Sequence, residues 1–444
     1  MVEIETKKRR FKSVINNIDT LHRKGRVVEA YGTSIKVCGI NARIGQQCMI
    51  SDKSNNNRIY ADVVGITGDN AILLPLSNLH GIAQDSIVTV VKEKSSIKYS
   101  DKLIGRILDG MGEPMDDLPL PTEMQEVPLY REAPSPLKRN PINKPLNTGV
   151  RSIDAILTLG VGQRTGIFAP AGGGKSTLLS MIARHAVADV IVIALIGERG
   201  REVGEFIDHT LTKEGLKRSV LIVSTSDRPA MERLRAAYTA TAIAEGFRES
   251  GKNVLLLMDS VTRFARALRE IGLSIGEPPV RRGFPSSVFA ELPKLFERSG
   301  NDNRGTMTAF YTVLVEDEES NDPIAEEVRS LLDGHIVLTR KLAQENHYPA
   351  IDILKSTSRL INQITNSKHR SYISKLRSLL SKYYEIEFLV QVGEYEEGSD
   401  DLADEAIKKI NYILDFLKQD CDTHYELDKV ITELSNIATE EQAS

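Results

Sequence analysis

The sequence predicts an α/β protein with an N-terminal β-barrel, a central doubly wound α/β domain and a C-terminal helical domain. From Gly25 to Val91, short β-rich runs recur about every ten residues, a spacing typical of a small barrel or sandwich. From Gln163 to about Thr339, buried strand-like runs mostly alternate with helix-like segments, the pattern of a sheet with helices on both faces. After about Asn366, apolar residues recur at helical spacing.

Specific runs predict the elements of each part. The N-terminal strands are RVVEA, SIKV, QQCMI, IYADVV, AILLP and SIVTVV, separated by Gly, Asn, Asp and Ser turns. The central strands are TGIFA, DVIVIALI, SVLIVS, NVLLLMD, TMTAFYTVL and HIVLT. The apolar positions that predict C-terminal helices are Ile373, Leu376, Leu380, Tyr383, Ile407, Ile410, Leu414 and Leu417.

The length requires more than one domain, because 444 residues exceed the roughly 250 to 300 at which a single core stops growing. We expect the barrel over residues 1–96, the α/β domain over 97–365 and the helical domain over 366–444. Eight of the seventeen prolines lie from Pro114 to Pro145. Proline interrupts helices, so this stretch is predicted to be an extended strap over a neighbouring surface.

The composition argues against a nucleic-acid-binding protein and against a disulfide-bonded one. Lys plus Arg number 57, Asp plus Glu number 61, and Trp is absent, so neither a basic field nor a Trp stacking platform favours a nucleic-acid partner. The three cysteines, Cys38, Cys48 and Cys421, show no CxxC spacing and are predicted to be small buried hydrophobes in a reducing compartment.

The N-terminus MVEIETKKRRF lacks an apolar signal region, and no run of about 18 apolar residues occurs. We therefore expect a cytosolic protein. The cluster Lys7, Lys8, Arg9 and Arg10 is interpreted as a solvated tail, with contact to an anionic membrane surface as the alternative.

A phosphate-binding loop is the sharpest motif. APAGGGKST, residues 169–177, lies between the strand TGIFA and a helix-like run, which is the context that a P-loop requires. Ala169 stands where the first glycine is usual, but the backbone donors that matter come later. The residues expected to hold a nucleotide are Ala171, Gly172, Gly173, Gly174, Lys175, Ser176 and Thr177, with the Ser176 hydroxyl ligating Mg²⁺.

Two carboxylates follow strands of the same predicted sheet. Asp259 ends NVLLLMD, where a carboxylate can hold the hydration shell of Mg²⁺. Glu198 ends DVIVIALIGE, at the sheet edge where ligands of open α/β folds bind, and it can orient an attacking water. A turn aspartate and a solvated glutamate are the alternatives for residues of these types alone.

Four motifs in order resemble the hexameric ATPases that include the rotary ATP synthase subunits and the export ATPases of type III secretion. They are the P-loop, GERGREV, MDSVTRFA and PAIDILKSTS. The resemblance spans nearly the whole chain and implies a ring-forming N-terminal barrel, a RecA-like P-loop ATPase domain and ATP with Mg²⁺ as cofactors.

The resemblance also implies roles for single residues. Glu198 resembles the catalytic carboxylate, Arg199 its neighbour in the same loop and Arg263 the positively charged residue that follows the strand end at Asp259. Tyr348 resembles the residue that stacks on adenine, and Asp352 is expected to brace its loop. Arg359 resembles the arginine finger that one subunit inserts into its neighbour's site.

Segments such as TSDRPAMERLRAAY and GEPPVRRGFPSSVFAELPKLFERSG resemble the virulence-type injectisome branch. A flagellar export ATPase is the nearest alternative, but its loop tends to read GSGVGKS. Glu198 argues against a non-catalytic α subunit of ATP synthase, where Gln is expected. Arg281 and Arg282 are interpreted as possible stalk or substrate contacts near a central pore, with a solvated loop as the alternative.

The resulting hypothesis is a homohexamer whose ATP hydrolysis drives chaperone release, unfolding and export through an injectisome. The implied partners are a central stalk, a peripheral stator, chaperone–effector complexes and an export gate, with the ring at the cytoplasmic face of the bacterial inner membrane. Rival hypotheses are a nucleotide-regulated docking ring of the sorting platform and a nucleic-acid translocase. The second rival is disfavoured because residues 25–91 offer Tyr31 and Tyr60 but little basic clustering.

Overall fold

The computed structural model describes residues 24–31, 33–51, 58–316 and 322–439. The chain divides into two compact units, one of Met1–Ser95 with Ser274–Gly276 and one of Ser96–Leu273 with Glu277–Ser444. The division into three domains ending at residues 96, 365 and 444 stays a prediction. The basic cluster Lys7 to Arg10 lies outside the described residues, as does the side chain of Tyr31.

The first unit is a closed antiparallel barrel with strand order β1-β2-β5-β4-β3-β6, so the predicted barrel and its six runs are confirmed. Its strands are β1 (Gly25–Tyr31), β2 (Ser34–Cys38), β3 (Gln47–Ser51), β4 (Arg58–Thr67), β5 (Asn70–Pro75) and β6 (Ile87–Lys92). Alternate residues point inward, as a half-buried strand requires, so that Ile35, Val37 and Leu73 are fully buried. Burial and the charge of Asp62 raise the pKa of the Cys48 thiol to about 12, so Cys48 is the protonated, buried hydrophobe that was expected.

An eight-stranded sheet forms the centre of the second unit, with order β20-β19-β12-β18-β15-β13-β14-β8. Its strands are β8 (Ile107–Asp109), β12 (Arg164–Ala169), β13 (Val190–Glu198), β14 (Ser219–Thr225), β15 (Asn253–Asp259), β18 (Thr306–Leu314), β19 (Gly334–Leu338) and β20 (Ile351–Ser358). All pairings are parallel except β19 with β20. The six predicted runs form its interior and are mostly apolar because both faces are covered.

Smaller pairs complete the strands of this unit: β7 (Ser96–Tyr99) with β9 (Gln125–Pro128), β10 (Pro145–Leu146) with β11 (Leu159–Gly160), and β16 (Pro279–Arg281) with β17 (Phe284–Pro285). The helices before and within the sheet are α1 (Arg151–Ile156), α2 (Lys175–His185), α3 (Gly200–Glu205), α4 (Thr212–Leu216), α5 (Ala230–Glu249), α6 (Val261–Ser274), α7 (Ser286–Phe296), α8 (Pro323–Leu331), α9 (Arg340–Gln344) and α10 (Ile361–Ile364). A π-helical turn, Phe206–Leu211, joins α3 to α4.

Three C-terminal helices follow the sheet, as predicted: α11 (Ser367–Val392), α12 (Asp401–Leu417) and α13 (Leu427–Ala438). Asn366 and Asp400 cap the first two by accepting backbone N–H bonds. Ile373, Leu376 and Ile410 join the same buried core as the sheet. Among the described helices, none combines the length and hydrophobicity needed to cross a membrane.

Both edges of the central sheet are covered. On β20, Arg377 Nη1 donates to Ile353 O at 2.6 Å and Nη2 to Leu354 O at 3.0 Å, so a side chain occupies carbonyls that another strand would use. On β8, the chain folds back, and Met115 N donates to Ile107 O at 2.9 Å. Part of each edge is therefore already bonded within the chain, which leaves fewer backbone groups free to pair with another strand.

The proline-rich strap contains no α-helix, which confirms that prediction. Its Leu129 carbonyl accepts a 2.9 Å bond from Arg298 Nη1. Arg298 also makes a two-pronged pair with Glu245, and Arg248 pairs with Asp302 at 3.2 Å. We refer to Glu245, Arg248, Arg298 and Asp302 as the Arg298 cluster. It ties the strap to α5 and to the loop after α7.

Candidate functional site

The loop 170–174 joins the central strand β12 to α2. Gly172 and Gly174 have φ of 77° and 81°, left-handed values that other residues rarely adopt, and Gly173 N donates to Pro170 O at 3.1 Å. The helix begins at Lys175, so its amino end faces the loop. Free N–H groups and the helix dipole at this point favour an anion such as a phosphate.

Lys175 lies between the two predicted carboxylates. Its Nζ is 2.6 Å from Asp259 Oδ1 and 3.5 Å from Glu198 Oε1. Both acids are the last residues of neighbouring strands, since Leu195 of β13 pairs with Asp259 of β15. Parallel strands end at the same edge, so residues far apart in sequence converge there.

Arg263, in α6, reaches the same place. Its Nε is 3.2 Å from Glu198 Oε1, and its Nη2 is 3.4 Å from Glu198 Oε2. Lys175, Glu198, Asp259 and Arg263 thus form a compact group of two cations and two carboxylates, named here the Lys175 cluster. Glu198 and Asp259 are only 7% and 5% exposed, so these charges interact through little water.

Burial and neighbouring charges set the protonation of the cluster. Burial raises the pKa of the Glu198 carboxyl, Lys175 and Arg263 partly offset this, and Asp259 reinforces it. Burial lowers the pKa of Lys175, but the charges of Asp259 and Glu198 outweigh it, so the pKa of Lys175 is raised overall. Lys175 stays a cation, and Glu198 is a stronger proton acceptor than an exposed glutamate.

A cavity of about 140 Å³ opens beside the cluster and is lined in part by Ser176, Glu198, Glu202 and Asp259. Among the described residues, no three His, Cys, Asp or Glu side chains are grouped closely enough to hold a metal ion by themselves. Mg²⁺ usually takes one or two protein oxygens and completes its shell with waters and phosphate oxygens. The hydroxyl of Ser176 and the carboxylate of Asp259 are the hard oxygen donors that such an ion needs, so the site fits Mg²⁺ bound with a nucleotide.

Tyr348 lies against the phosphate-binding loop. A Cβ built on Gly174 would be 3.3 Å from Tyr348 Cε1, so the ring covers the last glycine. The carbonyl of Tyr348 accepts a 2.8 Å bond from Gln419 N, and the Gln419 side chain bonds Gly149 O. The structure thus brings an aromatic ring to the phosphate-binding loop and fixes its backbone to the C-terminal helices.

Two predicted residues lie outside this group. The Arg199 side chain is 74% exposed and pairs with Glu202 at 3.5 Å. Arg359 is exposed, and its guanidinium donates to the carbonyls of Arg329 and Ser330. Ser358 pairs with Gly334 at the start of β19, whereas the phosphate-binding loop follows the end of the parallel strand β12. Arg359 therefore lies at the opposite end of the strands from the loop.

Two further residues touch the site and were not singled out from the sequence. Thr312 Oγ1 donates to Asp259 Oδ1 at 2.7 Å, and Arg340 Nε donates to Ala171 O at 3.2 Å. Thr312 lies in the run TMTAFYTVL, where threonine reads as an ordinary strand former. Asp352 Oδ1 accepts from Leu354 N and Lys355 N, so these bonds brace its own strand and do not reach the loop of Tyr348.

Comparison with known proteins locates two domain families. Residues 149–358 match the ATP synthase alpha/beta family, nucleotide-binding domain. Residues 365–436 match the T3SS EscN ATPase C-terminal domain.

Two curated relatives align along nearly the whole chain. A type 3 secretion system ATPase of Xanthomonas euvesicatoria is 52% identical over 400 residues, which cover 90% of each chain. A flagellum-specific ATP synthase of Bacillus subtilis is 48% identical over 429 residues, 96% of this chain and 98% of the relative.

The fold is also that of a solved ATPase. The assembled ATPase EscN of the enteropathogenic E. coli type III secretion system is 47% identical, with a TM-score of 0.89, and the match covers 94% of this chain and 100% of EscN. EscN has also been solved in complex with its central stalk EscO, with a TM-score of 0.87 to this chain.

Proposed function

Since the chain belongs to the type III secretion system ATPases, we propose that it forms a homohexameric ring that hydrolyses Mg-ATP to power protein export. The work of the ring would be chaperone release, unfolding and delivery of proteins through an injectisome. The Lys175 cluster carries this proposal, because it places a cation, a metal-binding carboxylate and a second carboxylate around one phosphate-binding loop.

Each residue has a definite task in this mechanism. The loop N–H groups and Lys175 bind the phosphates, and Tyr348 stacks on the adenine. Glu198 holds and polarises the attacking water, and Arg263 keeps the Glu198 carboxylate in place at 3.2 Å. Ser176 and Asp259 would hold Mg²⁺ together with the nucleotide, and the ion would supply positive charge beside the phosphates.

Arg359 cannot serve the site of its own subunit. The six residues of β12 place the two ends of the strands about 20 Å apart at roughly 3.3 Å per residue. This distance is longer than an arginine side chain. We propose that Arg359 acts in trans on the nucleotide of the neighbouring subunit. Arg199, exposed in the single chain, is proposed to line the same shared site.

The partners follow from the relatives. EscN has been solved as an assembly and with its central stalk, and we propose a central stalk partner for this ring as well. A peripheral stator, chaperone–effector complexes and an export gate are proposed as further partners. The ring would lie in the cytoplasm, against the inner membrane.

Flagellar protein export is a second candidate function, since a flagellum-specific relative is 48% identical across 96% of the chain. The same site and ring would serve it. Deleting the gene and measuring motility and effector secretion separately distinguishes the two: loss of secretion with normal motility supports the injectisome, and the reverse supports the flagellum.

The catalytic proposal is tested by ATPase rate against protein concentration, with oligomer mass recorded in parallel. The proteins are the wild type, Glu198→Gln, Arg359→Ala and Arg359→Lys. We expect the rate per subunit to rise with assembly, and we expect both Glu198→Gln and Arg359→Ala to lose most activity. Arg359→Lys keeps a hydrogen-bond donor for the α8 carbonyls. If this variant also loses ATPase activity, the loss reflects catalysis and not support of the helix.

Mixing the two inactive variants tests the trans arrangement directly. An Arg359→Ala subunit has an intact loop, and a Glu198→Gln neighbour has an intact Arg359. Mixed rings should therefore regain activity that neither variant has alone. An activity that is independent of concentration and survives Glu198→Gln would instead favour a nucleotide-regulated docking ring.

A further inference from the structure

Thr312 lies in the central sheet, beside the strand that ends at Asp259. Its strand β18 runs between β12 and β15, and Thr312 pairs with Ile167 of β12. The side chain is fully buried. A buried hydroxyl needs a partner, and the choice of partner decides what this residue does.

The hydroxyl of Thr312 is directed at Asp259. Its Oγ1 is 2.7 Å from Asp259 Oδ1 and 3.3 Å from Met258 O. One hydroxyl has one hydrogen to donate, and the shorter bond goes to the charged acceptor. Bonds to a carboxylate are stronger than neutral ones, so Thr312 holds one oxygen of Asp259 in a fixed direction.

Lys175 uses that same oxygen, since its Nζ is 2.6 Å from Asp259 Oδ1. Among the described residues, no side chain donates to Oδ2, and Asp259 lines the cavity that Ser176 also lines. The two oxygens therefore have separate tasks. Oδ1 is bound by Lys175 and Thr312, and Oδ2, which has no such bond, can serve a ligand in the cavity.

We propose that Thr312 is the positioning residue of Asp259 and sets the affinity of the site for Mg²⁺. When Lys175 donates to phosphate oxygens, Thr312 remains as the bond that keeps Oδ1 turned away and Oδ2 turned toward the metal's water shell. This inference rests on the proposed nucleotide site. Outer partners of metal-binding groups act in this way generally.

The test is the Mg²⁺ dependence of nucleotide binding, followed with the fluorescent analogue N-methylanthraniloyl-ADP at equilibrium. Thr312→Val removes the hydroxyl at nearly constant shape. We expect the half-saturating Mg²⁺ concentration to rise on the order of tenfold, with binding in EDTA unchanged. Thr312→Ser keeps the hydroxyl and should bind like the wild type.

Thr308→Val is the matched control. Thr308 lies on the same strand and face, is 1% exposed, and accepts a 2.8 Å bond from Gly162 N, away from Asp259. It should lower the thermal midpoint without changing the Mg²⁺ dependence. If Thr312→Val does not fold, Thr312→Ala removes the same hydroxyl without added bulk and gives the same comparison.

An unchanged Mg²⁺ dependence in Thr312→Val overturns the inference, as does an equal loss of binding in EDTA or a failure of Thr312→Ser to restore it. These outcomes differ from a failure of the proposed function. A wild type that binds the analogue with Mg²⁺ but never hydrolyses ATP contradicts the catalytic proposal and leaves the role of Thr312 intact.

Discussion

The Lys175 cluster and the Arg298 cluster are both groups of buried charges in one compact unit, but they differ in how completely their bonds are used. The Arg298 side chain is 1% exposed, and its N–H groups donate to Glu245 at 2.9 and 2.7 Å and to the Leu129 carbonyl. In the Lys175 cluster, Asp259 and the neighbouring Ser176 line a cavity. Charged groups whose hydrogen bonds are all made within the protein hold segments together, whereas charged groups with unused hydrogen-bonding capacity are available to a ligand.

The largest expected effect is on the ATPase rate, which should depend on the Lys175 cluster and not on the Arg298 cluster. Glu198→Gln should lower the ATPase rate by about 10²–10⁴-fold, the usual contribution of a positioned base. Its stability should not fall, because burial raises the pKa of Glu198 and so already disfavours its charge in the folded protein. Phosphate release and thermal unfolding measure the two quantities.

The control for this change is Glu245→Gln, which makes the same chemical replacement in the Arg298 cluster. It should lower the unfolding temperature and leave the rate per folded subunit unchanged. If Glu245→Gln slowed hydrolysis as much as Glu198→Gln, the contrast between the clusters would be wrong.

Arg298→Met should cause the largest loss of stability. Removing one partner leaves Glu245 buried without its cation, which costs about 3–5 kcal/mol. Arg304→Met is the control, because Arg304 is 52% exposed and pairs with Glu249 at 3.5 Å, a contact worth about 0–1 kcal/mol. Denaturant unfolding of both variants should differ accordingly, and similar midpoints would contradict the assignment.

A smaller effect concerns the loop beside the Lys175 cluster. Gly172→Ala and Gly174→Ala share the cost of a left-handed residue, about 1–2 kcal/mol, but only a Cβ at Gly174 meets Tyr348; at Gly172 nothing lies within 4 Å. Gly174→Ala should therefore weaken fluorescent ADP binding further, by on the order of tenfold or about 1.4 kcal/mol. Equal affinities would show that the Tyr348 contact is irrelevant to binding.

The smallest effect comes from Glu232, a 5% exposed carboxyl whose cation, Arg228, is 3.8 Å away and itself exposed. Burial raises the pKa of Glu232 to about 7, while Arg228 opposes the change. The folded protein holds this proton when the unfolded chain has lost it, so stability from this group falls as pH rises from about 4.5 to 7. Glu232→Gln should raise the unfolding temperature at pH 8 but not at pH 5.

The sequence predicted the parts of this fold that repeat locally. The six barrel runs recur at short intervals, the six central runs are mostly apolar, and the phosphate-binding loop lies between a strand and a helix. Each could therefore be recognised from its own stretch of sequence. The strand β20 was noticed only as the motif PAIDILKSTS, because an edge strand alternates between buried and exposed residues. β8 has three residues, too few for any periodic pattern.

Pairings across long stretches of chain could not be predicted. Glu245 and Arg298 are 53 residues apart, and no local pattern connects them. The same holds for Thr312 and Asp259, which meet only because β18 lies beside β15 in the folded sheet. Motifs located the charged groups of the candidate site, whereas strand order located the neutral hydroxyl that supports them.

The covered edges of the central sheet have a consequence for subunits that are not part of a ring. Arg377 occupies two carbonyls of β20, and the turn before Met115 occupies β8, so a strand from another copy would have to displace these bonds before it could pair there. These bonds oppose strand addition at both edges of a chain that has not assembled.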